Sequence, residues 1–140
     1  MSEEEEEVEG LPPSFKVFGN YNSPYSVKVR AYFRFKKLRH EWVPRCFETE
    51  EEFQRLARLA IVPLVVDPDG NAMQDSTPII EKVEQQYPRP SVHPQCTALK
   101  FLSELIEEFS DEWANKFMFH YRWVSSLFLL HCKFTICSRT

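Results

Sequence analysis

The stretch FKVFGNYNSPYSVKVRAYFRFKKL, Phe15 to Leu38, carries a strand, a turn and a helix in that order. FKVFG (Phe15 to Gly19) is short, apolar and bounded by turn residues, the pattern of a buried strand. From Ser26 to Leu38 the apolar residues Val27, Ala31, Phe35 and Leu38 recur at helical spacing. Arg30, Arg34 and Lys37 share a different face, so the spacing predicts an amphipathic helix. Between strand and helix stands Ser23-Pro24-Tyr25-Ser26. With cysteines at both ends, that tetrapeptide in this position would read as a thiol–disulfide active site. Here both ends are hydroxyls.

Downstream, HEWVPR (His40 to Arg45) alternates like a second strand, parallel to the first if the helix is a crossover. ETEEEFQRLARLA is a polar connector with some helical character. IVPLVVDPDGNAMQDS reads as a hairpin: LVV, a turn at Pro68-Asp69-Gly70-Asn71, and a return strand at Ala72-Met73-Gln74. STPIIEKVEQQYP is expected to be a helix capped by Ser76 or Thr77, with Pro78 in its first turn and Ile79, Ile80, Val83 and Tyr87 facing inward. The order β-α-β, connector, β-β-α predicts an α/β fold with a mixed four-stranded sheet flanked by helices. The Pro-rich YPRPSVHPQ reads as a linker. A second helical region follows, with Leu102, Leu105, Ile106, Phe109 and Trp113 on one side and Glu104, Glu107, Glu108, Asp111 and Glu112 on the other. The expected organisation is a disordered acidic tail over residues 1–13, a folded domain over 14–88, a linker over 89–96, a partial helical domain over 97–123 and an atypical tail over 124–140.

Composition narrows the function. Of 140 residues 43% are hydrophobic and 12 are Phe, which marks a folded chain. Six of the 21 acids lie in SEEEEEVEG, leaving the remainder near neutral against its 17 Lys and Arg. No basic stripe or nucleic-acid motif is present, so no nucleic-acid partner is expected. The apolar run VSSLFLLHC is far short of the ~20 residues that span a bilayer, and the N-terminus is acidic rather than signal-like. No membrane partner and a cytoplasmic location are therefore expected. Cys46, Cys96, Cys132 and Cys137 form no C-x-x-C pair and no metal-ligand spacing, so free thiols and no metal are expected.

SPYSVKVR, IVPLVV and QDSTPIIEKVEQQYP, in this order and ahead of an acidic-faced helix, resemble the glutathione S-transferase family over Phe15 to about Trp123. The resemblance implies a thioredoxin-like N-terminal domain followed by the start of an all-α C-terminal domain. It implies glutathione as a substrate, an unidentified electrophile as its partner, and no cofactor; it leaves a homodimer open. Ser23 matches the serine of the serine-type transferases, which stabilises the glutathione thiolate. Tyr21 is a rival, since other transferases use a tyrosine hydroxyl near the end of the first strand, and Ser26 is a weaker one. Val62-Pro63 matches the family's cis-proline turn, whose first residue offers backbone N–H and C=O groups to the cysteinyl portion. Gln74-Asp75-Ser76 matches the segment that holds the γ-glutamyl end. Arg45, Arg55 and Arg58 are nearby candidates for the glycyl carboxylate. Each match has an ordinary alternative: Ser23, Asp75 and Ser76 at helix caps, Pro63 at the start of an edge strand.

The resemblance weakens at Val124, where composition shifts abruptly. A splice-site read-through would account for VSSLFLLHCKFTICSRT, making the chain a truncated isoform in which the glutathione half-site is intact and the electrophile site is missing. Two other functions stand beside a transferase. One is a transferase-like binding module without turnover; the other is a glutaredoxin-like oxidoreductase, disfavoured by the missing C-x-x-C.

Overall fold

FKVFG is apolar along almost its whole length because both of its faces are covered. The structure, a computed structural model, describes residues 14–124. The acidic tail and the segment after Val124 lie outside the described residues. The strand β1 (Phe15–Gly19) is central in a sheet that also contains β2 (His40–Pro44), β3 (Leu64–Val66) and β4 (Ala72–Gln74), in the order β2-β1-β3-β4. β2 runs parallel to β1, while β3 is antiparallel to both β1 and β4. The mixed four-stranded sheet is the one its sequence order predicts.

Two apolar clusters sandwich the sheet. Phe15, Val17, Val65 and Met73 pack with Val29 and Phe33 of helix α1 (Pro24–Phe35) and with Ile79 and Val83 of helix α3 (Ser76–Gln86). Phe18, Val43 and Leu64 pack on the other side with Phe53 of the short helix α2 (Glu50–Leu56). Lys16 shares the α2 side of β1, where its ammonium reaches Glu52 at 2.9 Å. The polar connector thus contains a helix, preceded by a single 3₁₀ turn at Phe47–Thr49.

The expected inner face of α1 is corrected. Val27 and Phe35 are about half exposed, and the buried set is Ser26, Val29, Tyr32 and Phe33. The stripe was misphased because two inward positions are polar: Ser26, and Lys36 just after the helix. Lys36 is tolerated there because its ammonium meets Glu84 at 2.8 Å and donates to the Tyr87 carbonyl, while the Tyr32 hydroxyl donates to Glu84 at 3.0 Å. Tyr87 itself is partly exposed, although its ring touches Phe15.

The β3–β4 turn is built on Asp67. Its carboxylate accepts from the Asp69 and Asn71 backbone N–H groups at 3.0 and 2.8 Å and from the Asn71 side chain. Gly70 takes φ +87°, which a side chain would resist. Burial pushes the Asp67 carboxyl pKa up, but these hydrogen bonds outweigh it and hold it below its usual value.

The chain divides into two compact units, Met1–Arg89 and Pro90–Thr140. In the second, α4 (Thr97–Phe109) and α5 (Asn115–Val124) are joined by a π-helical turn at Ser110–Ala114. Trp113, assigned to the same stripe as Leu102, falls in that turn.

Candidate functional site

Strand register assembles the candidate site. Phe18 pairs with Leu64, and Leu64 pairs with Gln74. The end of β1, the start of β3 and the end of β4 therefore lie level at one end of the sheet. The segments just beyond them are Asn20–Ser23, Val62-Pro63 and Asp75-Ser76. A hydrogen bond of 3.3 Å from the Lys28 ammonium to the Thr77 hydroxyl ties the beginnings of α1 and α3 together.

Ser23 is the N-cap of α1. The Asn20 side chain accepts from the Asn22 N–H at 2.8 Å, and the Ser23 N–H donates to the Asn20 carbonyl at 3.0 Å, which bends the chain into the helix. Pro24 opens the first turn with a φ already suited to it. The Ser23 hydroxyl oxygen accepts from the Ser26 N–H at 3.3 Å. That bond uses a lone pair and leaves the O–H proton to donate elsewhere. Capping and donation to a ligand are therefore compatible at one oxygen. No acidic residue lies in the first turn of α1, so the helix dipole favours an anion there without competition.

The other two hydroxyls sit differently. Ser26 is wholly buried, and its Oγ has no hydrogen-bond partner. Tyr21 is 47% exposed, with its ring 5.4 Å from that of Trp42 and the Arg30 guanidinium lying over both. Gly19 lies beneath this stack, where an added Cβ would come within 2.3 Å of Trp42.

The Val62–Pro63 peptide bond is cis. Asp75, not Ser76 or Thr77, occupies the N-cap position of α3, a correction to the expected cap. It does not cap with its side chain, and its φ is +75°. With ψ at 129° it lies outside the left-handed helical well that Asp enters most readily, at a cost that surrounding structure must offset. The Ser76 hydroxyl is buried without a hydrogen-bond partner.

Gln74 and Arg45 do work that no sequence pattern announced. Both ends of the Gln74 amide are engaged by the backbone of residues 58–61. Arg45 forms a two-pronged pair with Glu50 at 2.8 Å and donates to the Ala60 carbonyl at 2.9 Å. Its hydrogen bonds, followed by one from Gln54, hold the Glu50 carboxyl down at about 2. Arg45 is therefore committed within the fold. Arg58 and Asp75 line a cavity of about 710 Å³ beside β4, with Leu59, Ile61, Pro78 and Lys82. Ser23 and Val62 are not on its wall, so the cavity adjoins only the Asp75 side of the site. Among the described residues no group of three or more His, Cys, Asp or Glu is placed to hold a metal ion. No helix among them is long and apolar enough to cross a membrane.

A mixed sheet of this order, with α1 and α3 on one face and α2 on the other, defines a thioredoxin-like domain followed by a helical region. Residues 17–91 match the family described as glutathione S-transferase, N-terminal domain. The chain belongs to the glutathione S-transferase family. Among solved structures it is similar to a glutathione S-transferase from Rhodospirillum rubrum F11 (28% identity, TM-score 0.66, 73% of this chain and 47% of that one). It is similar also to a glutathione S-transferase from Methylobacillus flagellatus KT with GSH bound (26%, TM-score 0.61, 70% and 49%). A third, from Methylobacterium radiotolerans JCM 2831 in complex with glutathione sulfonate, shares the fold at 20% identity (TM-score 0.68, 89% and 63%). The match thus covers about half the length of the first two structures. A search of curated protein sequences found no match.

Proposed function

We propose that residues 14–88 bind glutathione and hold its thiol as a thiolate for attack on an electrophile. The observation that carries this reading is Ser23: an N-cap hydroxyl with a proton left to donate, at a helix start free of acids. A free thiol titrates near ~8.5, so nucleophilic attack at neutral pH needs a lowered pKa. The helix N-terminus contributes roughly half a positive charge, and a hydroxyl donor adds a charge-assisted hydrogen bond. A serine cannot form the mixed disulfide that a cysteine would, so it stabilises the thiolate and releases it. On this reading Val62, before Pro63, offers its backbone to the cysteinyl portion. Asp75 faces the γ-glutamyl ammonium, and Ser76 with the α3 N-terminus receives the adjoining carboxylate. The sulfur itself is the nucleophile, and the reading needs no cofactor. The glutathione-bound relative from Methylobacillus flagellatus supports it. The helical residues 97–123, the linker over residues 89–96, a cytoplasmic location and a homodimer belong to the same reading.

The test is glutathione binding by calorimetry, with thiolate absorbance followed against pH, in wild type and Ser23→Ala. Loss of one hydrogen bond to a charged group removes about 1.5–3 kcal/mol, equivalent to raising the bound thiol pKa by one to two units. An unchanged thiol pKa in the variant sinks the role of Ser23 and moves it to Tyr21. Binding without conjugation of any electrophile selects a binding module instead of an enzyme.

A further inference from the structure

Gln74 ends β4, and its side chain reaches across to the segment that leads into Val62-Pro63. Its Oε1 accepts from the Arg58 N–H at 2.8 Å and the Leu59 N–H at 3.0 Å. Its Nε2 donates to the Leu59 carbonyl at 2.8 Å and the Ile61 carbonyl at 3.0 Å. An amide side chain has two donor protons and two acceptor lone pairs, so all four valences go to one short stretch of backbone. The Ala60 carbonyl is taken by Arg45. Residues 58–61 belong to no helix or strand, and Leu59 and Ile61 are largely exposed. Little apolar burial holds this segment; hydrogen bonds from Gln74 and Arg45 do.

The backbone of Gln74 runs directly into Asp75, while its side chain fixes the peptide just before Val62. We infer that Gln74 is a positioning residue that sets the spacing between the Asp75 end and the Val62 end of the site. The inference rests on the proposed glutathione reading, in which those ends hold the γ-glutamyl and cysteinyl portions of one ligand. It also separates two determinants. Gln74 controls affinity through the loop, and Ser23 controls the thiol pKa.

The experiment compares wild type, Gln74→Ala and Gln74→Glu. Gln74→Glu can keep both acceptor bonds to Arg58 and Leu59, but it loses both donor bonds and sets a carboxylate oxygen against the Leu59 and Ile61 carbonyls. Calorimetry gives affinity for glutathione and for S-methylglutathione, whose sulfur cannot ionise; thiolate absorbance gives the bound thiol pKa. Amide hydrogen exchange at Arg58 and Leu59 reports the loop. Gln74→Ala should weaken both ligands by about tenfold, the order expected for losing one or two neutral hydrogen bonds. It should also speed exchange at both amides and leave the bound thiol pKa unchanged. Gln74→Glu should weaken both ligands with exchange less affected. Unaltered affinity alongside faster exchange overturns the inference, as does a shifted thiol pKa or loss of cooperative folding in both variants. If wild type binds neither ligand, the glutathione reading fails and the inference falls with it. If wild type binds and the variants bind equally well, only the inference fails.

Discussion

At the scale of single residues, Asp75 and Ser23 make a revealing contrast. Both stand at N-cap positions, but Ser23 caps with its side chain and Asp75 does not. A φ of +75° is retained there without the hydrogen bond that ordinarily accounts for an Asp at a helix start. On the proposed reading the missing partner is a ligand ammonium. Asp75→Asn keeps an oxygen that can accept from the ammonium but loses the charge. It should therefore weaken glutathione binding by about 0.5–1 kcal/mol, within the range for an exposed ion pair. Asn has nearly the same shape as Asp, so the backbone at φ +75° and ψ 129° is asked of both and the loss reports the charge. The bound thiol pKa should stay at its wild-type value, because Ser23 and the α1 N-terminus act at the sulfur of the central cysteinyl residue and not at the γ-glutamyl ammonium. Calorimetry and thiolate absorbance measure the two quantities separately. Equal affinity in Asp75→Asn would remove the carboxylate from the site.

Between elements, the link that sequence patterning misread is the contact of α1 with α3. The mixed four-stranded sheet, the hairpin and the turn at Pro68-Asp69-Gly70-Asn71 were legible because apolar alternation and turn chemistry are local signals. The inner face of α1 was not, since its buried stripe includes Ser26 and ends at Lys36, while Val27 and Phe35 point outward. A lysine becomes an inward residue only through partners distant in sequence, and Glu84 and the Tyr87 carbonyl are both supplied by the α3 region. A related reason hid the roles of Gln74 and of Arg45 at Ala60, since backbone partners leave no mark on residue type. The segments of the candidate site were legible, but not how they are held. This buried cluster yields a stability prediction. Glu84→Ala leaves a buried ammonium without its counter-charge and should destabilise the first unit by about 3–5 kcal/mol. The double change Lys36→Met with Glu84→Leu should recover most of that, because apolar replacements of a buried ion pair are often neutral or better. Urea midpoints of the three proteins check it. A Glu84→Ala midpoint equal to wild type would show that Lys36 finds water.

For the molecule as a whole, the two units differ sharply in how they treat apolar side chains. The first encloses Phe15, Phe18, Phe33 and Phe53. In the second, Leu102, Leu105, Ile106 and Phe109 are all about half exposed or more, with Ile106 at 65%. They lie within the thirteen residues of α4, so they form a patch rather than scattered single contacts. Burying one such side chain is worth about 1.5–3 kcal/mol, which makes an uncovered stripe a strong incentive to associate. The 140-residue chain should therefore enhance the fluorescence of an apolar dye and sediment as more than a monomer. Leu105→Lys with Ile106→Glu should reduce both signals together, since the two substitutions interrupt the patch at its centre. The fold of the first unit should be unaffected, because neither residue belongs to it. A dye-silent, monodisperse monomer of the unmodified chain would show that the stripe is covered from within the chain. Dye binding that survives both substitutions would place the exposed apolar surface elsewhere.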